Sequence, residues 1–303
     1  MREITLPASV RQWRDGGRMV STPAGRVFVR QQPGRGDTTV LLLHGFPSSS
    51  YDFRSITYRF DEYGWLTLDF LGFGLSEKPR PHRYSLMEQA DIVEAVIGEV
   101  AAEIGPVVIV AHDMGTSVAT ELLARDLAGE LSFDLRRALL TNGSVILEKA
   151  SLRPIQKILR GPLGPVAARL TNKPGFRRGF GKLFSAAHPL TGEEAEAQWA
   201  LLTHDDGRGI LHLLSGYLGE RVQFASRWHG AVRDWPKPLN FLWATGDPVA
   251  TTAVLAGLRE LRPTAQVTQL PGIGHYPQIE VPHEFAAAAE ILLGLAGAGP
   301  IPG

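Results

Sequence analysis

The chain of 303 residues contains no cysteine. That absence excludes disulfides, thiolate metal sites and a cysteine nucleophile, and it leaves the redox compartment open. An excess of one charge is missing too: lysine plus arginine and aspartate plus glutamate both total 31. So balanced a chain offers no overall field for nucleic acid or an anionic membrane, and neither is expected as a partner. No window approaches the roughly 18 uninterrupted apolar residues of a membrane span. The opening "MREITLPASVRQWRDGG" lacks the apolar stretch a signal peptide needs, so a cytoplasmic protein is the default expectation. No glycine-rich dinucleotide fingerprint follows a strand, and no His/Asp/Glu grouping has metal-ligand spacing, so neither cofactor nor metal is expected. What the chain does have is a 44% share of apolar residues, enough to fill the core of one large domain or of a domain with an insertion.

Short, near-continuous apolar runs alternate with helix-length segments. "TVLLLHG" (39–45), "GWLTLDF" (64–70), "PVVIVAH" (106–112) and "RRALLTNG" (136–143) read as strands buried on both faces, as in a parallel sheet. Helices are expected over 84–104, where apolar residues recur at helical spacing, and over 115–129, ending at Gly129. From 144 to about 230 no buried strand is evident, only helical stretches broken by "RGPLGP", "NKPGF" and "AAHPLTG". Strand logic resumes at "PLNFLWATGD" (238–247) and "AQVTQLPG" (265–272), followed by a helix over 282–297 and a short tail, "GAGPIPG", expected to fray. The expectation is one α/β domain, residues 1–143 and 231–303, interrupted by a helical insertion at 144–230.

Within "VVIVAHDMGTSVA" a strand turns sharply into a helix, and Asp113 stands at the turn. The pattern A-H-D-M-G is a variant of the nucleophile elbow, with Ala111 for the first glycine and Asp113 for serine. Aspartate is also a favoured N-cap, so the motif alone leaves Asp113 as either cap or nucleophile. Three further features bear on the choice. His275 sits in the Gly-rich loop "GIGHYPQIEVP" after a strand, and Asp247 lies just beyond the strand "FLWATGD", where ligands of open α/β sheets bind. The loop after "LLLHGFP" can supply the Phe46 N–H, which with the Met114 N–H would form an oxyanion hole.

These motifs together resemble a known family. "HGFP", "LDFLGFGLSEKP", "AHDMG", "GDPV" and "GHYPQIEVP" are similar to the α/β-hydrolase superfamily, in the branch of epoxide hydrolases and haloalkane dehalogenases. The run "LDFLGFGLSEKPRPHRYSLMEQADIVEAV" (68–96) resembles the mesoderm-specific-transcript-type members. The resemblance spans nearly the whole chain and is weaker in 144–230. It implies an α/β-hydrolase fold with a mainly parallel sheet, a helical cap made by the insertion, and a triad of Asp113, Asp247 and His275.

A carboxylate attacking an ester or amide gives an anhydride, too reactive to be a useful intermediate. Attack on a saturated carbon bearing a leaving group gives an alkyl ester, which His275, oriented by Asp247, then hydrolyses with water. An apolar small molecule, an epoxide or a haloalkane, is the expected substrate. The leaving group separates the two. In the dehalogenases, as the resemblance implies, a halide meets a tryptophan after the nucleophile and an asparagine after the HG pair or a cap tryptophan; here Met114 and Phe46 occupy the first two places. An opening epoxide needs a proton donor, which epoxide hydrolases supply from cap tyrosines. Tyr217, thirty residues before Asp247, stands where the second of those is expected. The first is missing, since no tyrosine lies between Gly143 and Tyr217. His188 in "SAAHPLTG" is the nearest polar substitute, and His204 in "LLTHDDG" a weaker one.

Other residues read as supporting. Asp69 looks like a turn residue, His44 an organiser of the oxyanion loop and His112 a support for the elbow. Trp199, Trp228 and Trp235 are expected to line an apolar pocket or pack the insertion, where one could contact a halide. The leading reading is an epoxide hydrolase. Haloalkane dehalogenase is the alternative, and a non-catalytic hydrolase-fold binding protein the reading from another class.

Overall fold

Eight strands form one sheet in the computed structural model, which describes residues 5–295. In chain order they are β1 (Arg18–Thr22), β2 (Gly25–Pro33), β3 (Thr39–Leu43), β4 (Gly64–Leu68), β5 (Val107–His112), β6 (Leu135–Thr141), β7 (Leu239–Ala244) and β8 (Val267–Leu270). Their order across the sheet is β1-β2-β4-β3-β5-β6-β7-β8. From β4 to β8 every pairing is parallel, while β1 and β2 join antiparallel at one edge. The expected α/β fold with a mainly parallel sheet is what forms.

The central strands follow from composition. Every position of β3, β4, β5 and β7 is buried, so both faces must be covered, and helices on either side do this. Burying each Val, Leu or Ile contributes roughly 1.5–3 kcal/mol, enough to offset a per-residue ordering cost of about the same size. Two helices carry the same logic: Leu86–Val100, continued by a tight turn over Ala101–Glu103, and Met114–Ala128, which ends where Gly129 turns left-handed at φ 72°.

The N-terminal part went unread in the sequence. A helix, Ala8–Asp15, and the hairpin β1–β2 precede the first expected strand. Only Val20 of β1 is buried, as suits an edge strand, so its polar pattern gave no strand signal. The expected strand at 265–272 shortens to Val267–Leu270, and the helix expected over 282–297 runs over Pro282–Leu292. The tail "GAGPIPG" lies outside the described residues.

Between β6 and β7 the described chain forms helices and no strand. The last of them, Ala225–Asp234, runs through residue 230 and packs on Met114–Ala128. There the Trp228 indole N–H donates to Glu121 at 3.0 Å, and the Arg227 guanidinium pairs with the same carboxylate at 2.8 Å. The helical segment is thereby anchored to the helix that follows Asp113.

Candidate active site

β5 ends at His112 and the next helix begins at Met114, leaving Asp113 alone to turn the chain. It does so at φ 44° and ψ −110°, a strained backbone for a residue with a side chain. Small neighbours permit it: a Cβ on Gly45 would sit 2.6 Å from the Asp113 Cβ, and one on Gly115 would sit 2.4 Å from the Leu43 carbonyl oxygen. The Thr116 hydroxyl donates to the Asp113 carbonyl at 2.6 Å and braces the turn. The Asp113 carboxylate makes no capping bond to its own helix. Its Oδ2 instead accepts the N–H of Phe46 at 2.9 Å. Of the two local readings of Asp113, the N-cap is therefore absent.

Three strand ends bring the other partners in. His275 Nδ1 lies 2.7 Å from Asp247 Oδ2, both side chains buried. Asp247 is held in turn by the Val249 N–H, 2.7 Å from Oδ1, and by the Asn142 amide, 2.8 Å from Oδ2. The Asn142 side chain also exchanges two bonds with the backbone of Ala244, at 3.0 and 2.9 Å, and locks the end of β6 to β7. Sequence reading missed Asn142; its only signal was an Asn-Gly pair directly after a strand. His112 Nε2 donates to the His275 carbonyl at 2.7 Å, and His44 accepts the Phe70 N–H at 2.9 Å while bonding the Gly45 carbonyl at 2.8 Å. Burial lowers both rings to about 4, so they are neutral scaffolding. Asp69 takes bonds from the Ser50 N–H at 2.8 Å and the Leu75 N–H at 2.7 Å, a structural role.

Burial would push the His275 imidazole down, but the carboxylates of Asp247, Asp113 and Asp52 outweigh it and raise it to about 9. Asp247 responds in kind. Burial works to raise it, yet the charge and hydrogen bond of His275, with the Val249 and Asn142 donors, hold it below the ordinary carboxylate range. The pair is thus an imidazolium–carboxylate couple when Asp113 is charged.

Above Asp113 a cavity of about 510 Å³ opens between the sheet and the helical segment. Asp113, His275, Phe46 and Val249 form its floor, and Gln156, Leu159, Phe176 and Phe180 are among its upper residues. Tyr217 is buried behind this wall, its ring 5.6 Å from that of Phe46 and its hydroxyl accepting from the Gln156 amide at 3.3 Å. Burial and the Asp113 charge hold that phenol far above its ordinary value, so it stays a protonated hydroxyl. One turn on, Arg221 is also buried. Its guanidinium donates to the Ser117 hydroxyl at 2.8 Å and to the Asp113 carbonyl at 3.1 Å, and lies 4.7 Å from the centre of the Tyr217 ring. Sequence reading missed this cation, for a single arginine in "GYLGERV" gives no hint that it is buried. Tyr276, next to His275, is buried with its hydroxyl unpartnered among the described residues, stacked on Phe184 at 5.5 Å.

The two histidines considered as a second proton donor lie away from the cavity. His188 is exposed and absent from the cavity wall. His204, half-buried, also does not reach the wall. Of the two places expected for the tryptophans, they take the second and pack the helical segment: Trp228 is committed to Glu121, Trp235 donates to Asp126 at 2.6 Å, and Trp199 packs on Phe176 at 5.5 Å. Among the described residues no cluster of three or more His, Asp or Glu is arranged to hold a metal.

Residues 40–288 match the Alpha/beta hydrolase family. The chain belongs to that family. It is a hydrolase of the alpha/beta fold, with the sheet order and elbow just described. LipZ of Mycobacterium tuberculosis is 66% identical across 96% of this chain and 99% of its own length. The mesoderm-specific transcript protein of Mus musculus is 34% identical across 93% of this chain and 87% of its own. Among solved structures, the haloalkane dehalogenase DbeA of Bradyrhizobium elkani superposes with a TM-score of 0.77 over 92% of this chain and 98% of its own, at 22% identity, a likeness of fold. No helix among the described residues of this alpha/beta hydrolase is long and apolar enough to cross a membrane.

Proposed function

We propose that this alpha/beta hydrolase opens apolar epoxides to diols through an ester on Asp113, with the helices between β6 and β7 acting as a cap. The observation that carries the reading is the Asp113 carboxylate at the elbow, one oxygen held by the Phe46 N–H; the buried phenol of Tyr217 is outside the cavity lining but packs on two residues that form it, Phe46 and Gln156.

Asp113 Oδ1 attacks a ring carbon, the carbon–oxygen bond breaks, and the departing oxygen takes the proton of Tyr217. Esterification removes the Asp113 charge, one of those that raise His275. The imidazolium gives up its proton to solvent and becomes the base. It takes a proton from water as that water attacks the ester carbonyl, while the N–H groups of Phe46 and Met114 receive the developing oxyanion. Collapse expels the diol, whose new oxygen came from Asp113 and whose proton comes from His275. The carboxylic acid left on Asp113 returns its proton to the tyrosinate, and His275 is recharged from solvent.

Halide displacement has less support. Neither Met114 nor Phe46 offers a side-chain N–H, and the indoles of Trp228 and Trp235 are bonded to Glu121 and Asp126. With Tyr217 as the sole phenol of the helical segment, Gln156 polarises it, in place of the second tyrosine. The test is the variant His275→Gln, mixed with epoxides and with haloalkanes and weighed intact. An adduct on Asp113 from epoxides alone is expected; an adduct from haloalkanes with halide release, or none from either, overturns the reading.

A further inference from the structure

The charge balance of the whole chain conceals a local imbalance. From Lys149 to Gly192 there are nine lysines and arginines and not one aspartate or glutamate. Lys149 is paired with Glu260 at 3.8 Å and Lys173 with Glu196, both partners lying outside the stretch. Lys157, Arg160, Arg169, Arg177, Arg178 and Lys182 are exposed and in no ion pair with a described residue.

The same stretch carries apolar side chains that face water. Five of the ten large hydrophobic residues exposed among the described residues fall between 155 and 170. Ile155 and Ile158 project from the helix Pro154–Arg160, Leu163 from the turn after it at 67% exposure, and Val166 and Leu170 from the helix Gly164–Leu170. Each short helix buries its other face: Gln156 and Leu159 in the first, Ala168 in the second. Large apolar side chains left in water over consecutive turns mark a surface that something covers.

The position of this surface is informative. Ile155 and Leu170 both belong to the cavity wall, as does Lys182, so the apolar and basic face surrounds one side of the entrance to Asp113. Exposed apolar side chains with unpaired cations around them, on a stretch that supplies no acid of its own, complement an anionic phospholipid surface: cations meet the headgroups and the aliphatic side chains enter the boundary below them.

We infer that the face formed by residues 153–182 docks on anionic phospholipid membranes and turns the mouth of the catalytic cavity toward the lipid. Docking depends on this surface alone. Delivery of an apolar substrate from the bilayer into the cavity rests in addition on the epoxide reading. The balanced total charge argued against a membrane partner only because it averages over faces of opposite character.

Vesicle sedimentation tests the inference on the full chain. The protein is expected to pellet with vesicles of equal parts phosphatidylcholine and phosphatidylglycerol, to stay in solution with phosphatidylcholine alone, and to be released as salt is raised. The variant Leu163→Ser/Val166→Ser/Arg169→Gln, none of whose positions lines the cavity, should lose about fivefold in partitioning for the arginine alone, and more with the two apolar losses. An unchanged thermal midpoint shows that this variant is folded, and unchanged turnover of a small water-soluble epoxide separates docking from catalysis. Absence of pelleting with the anionic vesicles, or pelleting of the variant equal to wild type, overturns the inference. A dimer in light scattering that Leu163→Ser dissolves also overturns it, by assigning the face to a second copy of the chain.

Discussion

The main-chain N–H of Phe46 donates to Asp113 Oδ2 at 2.9 Å, across 67 residues of sequence. β3 and β5 are hydrogen-bonded neighbours, so the loop after one strand and the elbow after the other meet at the same end of the sheet. In the proposed mechanism this oxygen rests where the oxyanion would form, and the other is the one that attacks.

That contact requires a glycine before Phe46. In Gly45→Ala the new Cβ would stand 2.6 Å from the Asp113 Cβ and push the carboxylate out of line. A misplacement near 1 Å costs on the order of 10²-fold in rate. We expect kcat to fall by about that factor while circular dichroism stays native; full activity would mean that Asp113 need not sit where it does.

Tyr217→Phe removes the proposed acid and keeps the ring packed on Phe46. General-acid catalysis is worth roughly 10²–10⁴-fold, so alkylation should slow by that much in a rapid-quench measurement. Hydrolysis of the ester, once formed, should be little affected. Equal slowing of both halves would argue that Tyr217 acts by packing.

Arg221 ties the helical segment to the elbow through the Asp113 carbonyl and Ser117. Its Nη2 also lies 3.9 Å from Asp113 Oδ1, so it both positions the elbow and places a buried positive charge beside the proposed attacking oxygen. Arg221→Gln should lower kcat by about tenfold or more and leave KM nearly unchanged. Arg221→Lys should fail to restore it, since an ammonium cannot reproduce the two-pronged guanidinium geometry. Rescue by lysine would reduce the role of Arg221 to charge alone.

The His275–Asp247 pair predicts a pH dependence of stability. His275 is raised from its ordinary 6.5 to about 9, so the folded protein holds that proton more tightly than the unfolded chain. The resulting stabilisation, on the order of 3 kcal/mol, is complete below about pH 6.5 and is lost as pH rises through about 9. Asp247, lowered on folding, acts oppositely: its share is present above its unfolded value near 3.8 and is lost in acid. Denaturant titrations of wild type and His275→Gln should therefore differ most near pH 6.5 and converge toward pH 9. A constant difference across that range would contradict the charged couple.

Much of this was legible before any coordinates. "VVIVAH", "TVLLLHG" and "PLNFLWATGD" announced buried parallel strands because a strand covered on both faces has no polar positions to spare. Asp113 and Asp247 follow such strands, and His275 follows the half-exposed β8; their order along the chain and the family resemblance together implied the triad. What could not be read depended on contacts across the helical segment. Arg221 looks like any surface arginine until the elbow is seen beneath it, and Asn142 becomes a partner of Asp247 only through the register of β6 and β7. His188 failed as a donor because nothing in a loop sequence says which way its side chain turns.

The central claim is that Asp113 itself bonds to substrate carbon. A single turnover in heavy-oxygen water, with enzyme in excess over epoxide, tests it most directly. The account predicts a diol without label and heavy oxygen in the peptide containing Asp113, since water attacks the ester carbonyl and the old carboxylate oxygen leaves with product. Label in the diol and none in Asp113 would mean that water attacks the epoxide directly, and would contradict the mechanism.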